Sequence, residues 1–135
     1  MIKETISWKD YDGNDRKEDF YFHLNEAELT TMSLSVEGGL DSYIKKIIAT
    51  KDLPSLVDLF TKLIDKSYGV KSLDGREFYK DDEILKKFKA TEAYSTFYMK
   101  LIKDSKAAAD FIKGIIPSNI SSNLPDNVDP KDFDM

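Results

Sequence analysis

Asp10-Tyr11-Asp12-Gly13-Asn14 places oxygen-bearing side chains at alternate positions, the way a calcium-binding loop begins. Such a loop turns on a glycine at its sixth position and closes on a bidentate glutamate at its twelfth; here those positions hold Asp15 and Tyr21. A hairpin turn rich in Asp and Gly accounts for the same residues without a metal. His23 is the single histidine and cysteine is absent, so neither a histidine-rich zinc site nor a cysteine–histidine pair can be assembled. Between Phe22 and Leu24, and facing opposite to both by strand parity, His23 reads as a strand residue rather than a general base. No serine stands in a Gly-x-Ser-x-Gly elbow, and neither a phosphate-cradling loop nor a dinucleotide fingerprint occurs. Carboxylate pairs such as Asp81-Asp82 could do acid–base work, but helix capping and solubility account for them more simply. The residues argue against an enzyme and imply no cofactor and no metal.

Composition narrows the class further. The 135 residues suffice for one core-forming domain, 41% are hydrophobic, and aromatics include 8 Phe, 7 Tyr and 1 Trp. No stretch approaches the roughly 20 apolar residues of a membrane span, and Met1 to Thr5 show no secretory signal pattern. With no disulfide possible, a cytoplasmic protein relying on its hydrophobic core is the plain reading. The net charge of −5 divides unevenly, about −3 over the last 19 residues and −2 over the rest. Nucleic-acid binding needs clustered cations to displace counterions, and no basic stripe is present.

The elements that would carry these residues follow from periodicity. Ile6 and Trp8, then Phe20, Phe22 and Leu24, alternate with polar residues on either side of Asp12-Gly13-Asn14-Asp15, which predicts a β-hairpin with one apolar face. Asn25 with Glu28 forms a capping-box pattern opening a helix over 26–35, broken by Gly38-Gly39. Helical stripes follow at Leu40, Tyr43, Ile44, Ile47 and Ile48, and again at Leu56, Val57, Phe60, Leu63 and Ile64. Asp52 and Pro54 start the second of these, and Gly69 is its expected stop. Ser72 to Gly75 reads as a turn and Arg76 to Tyr79 as a short extended piece. Asp81 or Asp82 caps a helix bearing Ile84, Leu85 and Phe88; Thr91 opens another, and Asp104 caps the last, which Pro117 ends. The expected fold is α+β and mainly α-helical. An N-terminal β-hairpin (1–24) packs on about five to six short helices (25–117) in one globular domain, followed by a flexible, disordered acidic tail over 118–135.

Several stretches, taken in order, resemble the tail assembly chaperone family of siphophages infecting Gram-positive bacteria. They are Tyr11-Asp12-Gly13 leading into Asp19 to Leu29, Gly38-Gly39-Leu40 with Tyr43-Ile44 and Ile47-Ile48, Lys66 to Phe78, Thr91 to Ser95, and Ala107 to Pro117. The likeness runs from about Trp8 to Pro117. It implies a non-enzymatic role in tail building: binding the tape measure protein, helping recruit tail tube subunits, acting in the host cytoplasm and leaving before the tail is mature. It also implies a short form alongside a longer frameshifted form, this chain corresponding to the short one, and self-association into an oligomer or filament. The family provides no catalytic or binding residues to carry over.

A partner-binding face should offer apolar surface within a charged rim. The expected face lies on the last two helices, at Tyr94, Phe97, Tyr98, Leu101, Ile115 and Ile116. Aromatic stripes at helical spacing are also what a core looks like, so the same six residues have that alternative. Two rival roles stand beside the chaperone: a structural virion protein for tail completion or head–tail joining, and an acidic inhibitor or antitoxin-like binder.

Overall fold

The computed structural model describes residues 1–34, 38–50 and 52–116. The expected tail over 118–135 lies outside the described residues, as do Ser35 and the side chains of Leu40, Ile47 and Ile48.

Strands β1 (Ile2–Lys9) and β2 (Asp15–Phe22) pair antiparallel from Ile2 opposite Phe22 to Lys9 opposite Asp15. Asp10 builds the turn between them. Its Oδ1 accepts hydrogen bonds from the backbone N–H groups of Asp12 and Asn14, each at 2.9 Å, and its Oδ2 accepts one from Arg16 Nε at 2.8 Å. The bond from Arg16, followed by the backbone donors, holds the Asp10 carboxyl below its ordinary range. Gly13 supplies the left-handed step, with φ at 84°. Both carboxylate oxygens are committed inside the turn, which is hairpin chemistry.

The chain continues as α1 (Glu26–Leu34), α2 (Gly39–Thr50), α3 (Leu53–Ser67), β3 (Tyr68–Lys71), β4 (Phe78–Tyr79), α4 (Asp82–Lys89), α5 (Glu92–Lys103) and α6 (Ser105–Ile115). The class is α+β and mainly helical, with six helices among the described residues. Capping residues set most of the helix starts. Asn25 and Glu28 bond reciprocally: Glu28 N–H to Asn25 Oδ1 at 2.8 Å, Asn25 N–H to Glu28 Oε1 at 3.0 Å. Asp52 caps α3, Asp81 rather than Asp82 caps α4, and Asp104 caps α6. Thr91 occupies the cap position of α5 but makes no side-chain cap bond; its hydroxyl instead donates back to the Phe88 carbonyl at 2.7 Å.

One sequence expectation is extended by the structure and another needs correction. The hairpin does not stand alone: β3 joins β2 and β4 joins β3, giving an antiparallel sheet in the order β1-β2-β3-β4. Gly69 is not the helix stop, because α3 ends at Ser67 with Tyr68 already extended. The glycine is needed for proximity: a Cβ there would lie 2.7 Å from the Phe78 ring and 2.7 Å from the Tyr79 carbonyl oxygen.

The inner face of the sheet carries Ile6 and Phe22 into the core, with Trp8 and Phe20 half-buried against it. Phe22 is its centre. Its ring stacks on Phe97 at 5.0 Å and meets Phe111 edge-on at 5.5 Å. Tyr68 stacks on Phe88 at 4.3 Å, and Phe88 reaches Phe20 at 4.9 Å. Leu56, Leu59, Phe60, Leu63 and Ile64 bring the buried stripe of α3 to this cluster. The last helix closes the first strand, with Gly114 packed directly on Ile2 and the Leu24 N–H bonded to the Ile115 carbonyl at 3.2 Å.

Candidate partner-binding surface

The six residues expected to form a partner face fall into two groups. Phe97, Leu101, Ile115 and Ile116 lie in the buried cluster, none more than 5% exposed. Tyr94 and Tyr98 are half-buried and pack against that cluster, their rings 6.0 Å apart. The Tyr98 hydroxyl donates to the Val57 carbonyl at 3.3 Å. Tyr94 stands beside the Lys89–Asp65 ion pair, with Lys89 Nζ 5.5 Å from its ring centroid and 2.9 Å from Asp65 Oδ2. Burial, with the Asp65 charge behind it, pushes the Tyr94 hydroxyl up to about 12, so it remains a neutral donor. Of the six, Tyr94 and Tyr98 alone keep part of their surface in solvent beyond a few per cent.

His23 follows β2 and is half-buried, its ring edge-on to Phe78 at 6.4 Å. Its N–H donates to the Ser67 carbonyl at 2.8 Å, while its Nδ1 is buried and makes no hydrogen bond to the described residues. Lys80 locks this corner, donating from Nζ to the His23 carbonyl and to both Glu28 oxygens, the latter at 2.7 Å each. Burial first, then the positive charges of the N-terminus and Lys80, hold the imidazole below its ordinary value. Lys80, through the His23 carbonyl and the Glu28 carboxylate, fastens the sheet to α1.

A different part of the sheet exposes apolar surface. Val70, Leu73 and Tyr79 are large apolar residues in solvent within ten positions, Leu73 fully exposed at the tip of the β3–β4 turn and the others 44% and 46% exposed. Val70 and Tyr79 face each other as a cross-strand pair. Beside them β2 and β3 diverge. They pair only at Tyr21 with Gly69 and Phe22 with Tyr68, and beyond that the strands leave a cleft of about 250 Å³ between Asp19–Tyr21 and Tyr68–Leu73. Lys71 Nζ lies 6.0 Å from the Tyr21 ring centroid on the outer side, and Tyr68 lines the inner side, its hydroxyl raised by burial and the nearby Glu18 charge. Sequence reading missed this surface. Leu73 was the available signal, since an apolar residue at the tip of a polar turn has no helical or strand phase through which to reach a core. Among the described residues there is no cluster of three His, Cys, Asp or Glu that could hold a metal ion, and no helix is long and apolar enough to cross a membrane.

A family model described as phage tail assembly chaperone matches residues 1–131. The chain belongs to that family. No curated protein and no solved structure matches it.

Proposed function

We propose that this chaperone binds the tape measure protein and helps bring tail tube subunits to it, in the host cytoplasm, and leaves before the tail is mature. It does so by non-covalent binding and without catalysis. The observation that carries this reading is the exposed apolar group of Val70 and Leu73 at the β2–β3 cleft, with Tyr79 beside Val70 on β4, in a chain whose family acts on tail assembly. The rim is charged with both signs, Lys71, Asp74, Arg76 and Glu77 being exposed, which suits reversible association. Tyr94 and Tyr98 enter as an accessory contact through their outer edges, supported from inside by Phe97, Leu101, Ile115 and Ile116.

Co-expression with the tape measure protein of the same phage tests the proposal. The chain is expected to keep that protein soluble and to be absent from purified virions by mass spectrometry. Val70→Asp with Leu73→Asp should abolish the solubilising effect while leaving the melting temperature of the chaperone unchanged. Retention in mature particles would instead make it a structural virion component.

A further inference from the structure

The β2–β3 cleft is more than an apolar patch, because its walls are strand edges. β2 is paired along its whole length by β1, yet β3 pairs with it only at Tyr21 and Phe22. From Asp15 to Phe20 no backbone group of another described residue bonds to the side of β2 that faces away from β1. Val70 and Lys71 are likewise paired on their β4 side alone. Unpaired N–H and C=O groups in line are a template for another extended chain, whereas a helix has already satisfied its own.

We propose that the cleft takes an extended segment of a tail protein, which adds to the β2 edge as a strand alternating apolar and polar residues; this rests on the cleft being the partner site. The alternation follows from the two sides. By strand parity, inward side chains of the guest would meet Phe20, Tyr68 and Val70 where β2 and β3 part and the exposed Arg16 and Glu18 farther along β2, and outward ones would lie by Lys17, Asp19 and Lys71. Those outward charges are of both signs, so a strongly acidic or strongly basic segment gains nothing there. The guest is therefore a near-neutral strand of about six residues, matching the length of open edge at ~3.4 Å per residue.

The test uses overlapping twelve-residue peptides tiling the tape measure and tail tube proteins of the same phage, titrated against the full chain. Retained peptides are expected to alternate apolar with polar residues and to slow hydrogen exchange of amides within Arg16–Phe20. N-methylation at the alternate backbone positions that face β2 should weaken binding about tenfold or more along the segment, and at the intervening positions hardly at all except where an amide can reach the short β3 edge at Lys71. Val70→Asp should weaken the same peptides. Retained peptides that bind as helices, or N-methylation effects without period two, overturn strand addition while leaving the chaperone reading intact. Protection of the β2 edge by a second copy of this chain, seen as concentration-dependent exchange without peptide, would assign the cleft to self-assembly and overturn the proposal. If neither tail protein solubilises with the chain at all, it is the partner assignment that fails.

Discussion

Glu28 accepts from the Asn25 N–H and from Lys80 Nζ, and these bonds outweigh the effect of burial to leave its carboxyl below the ordinary value of 4.5. His23 beside it is also lowered, from 6.5. The two act in the same direction on stability. In the folded chain His23 resists a proton that the unfolded chain accepts, so stability should start to fall as pH drops through about 6.5; Glu28 adds a further loss as pH drops through the carboxylate range. Melting temperature recorded against pH should decline in these two stages, and His23→Gln should remove the upper one. Phe97 lies between Phe22 and Phe111. Its truncation to Ala should cost about 3–5 kcal/mol by urea denaturation, through the cavity left behind. This residue was legible as apolar and helical in phase, but not as core rather than surface, because periodicity specifies a face and not what the face meets.

At the scale of elements, local chemistry was readable and long-range pairing was not. The hairpin turn, the Asn25–Glu28 box and the caps at Asp52, Asp81 and Asp104 use partners within a few residues of one another, and the sequence shows both partners of each together. β3 and β4 are four and two residues long, too short for any period to register, and they exist because β2 offers an edge nearly fifty positions earlier. Gly69 was therefore read by its commonest local role, a helix stop, when its role is to let Phe78 close over the strand. Gly69→Ala should loosen the β3–β4 hairpin and destabilise the chain by about 1–3 kcal/mol, with the largest gain in amide exchange at Tyr68–Lys71. Asn25→Ala should cost about 1 kcal/mol by removing one half of the reciprocal cap, with the loss centred on α1. The cleft went unseen for the same reason as β3, which forms one of its walls.

Taken whole, the molecule gathers one buried cluster from Ile6 to Ile116 and leaves a group of three exposed apolar residues, Val70, Leu73 and Tyr79, at the far end of the sheet. Charge gives little long-range pull, since the 116 residues before the acidic end sum to about −2. Capture of tail proteins should accordingly change little between low and moderate salt, and a steep salt dependence by titration calorimetry would point to the acidic end as the contact. The first strand and the last helix are mutually dependent: Ile2 packs on Gly114, and Leu24 bonds to Ile115. On a ribosome, the opening hairpin is made early and its apolar side must wait, uncovered, for nearly the entire domain to be translated. Nascent chains arrested before residue 105 should be open to protease throughout, so that acquisition of shape is a single event that waits for α6 to be translated.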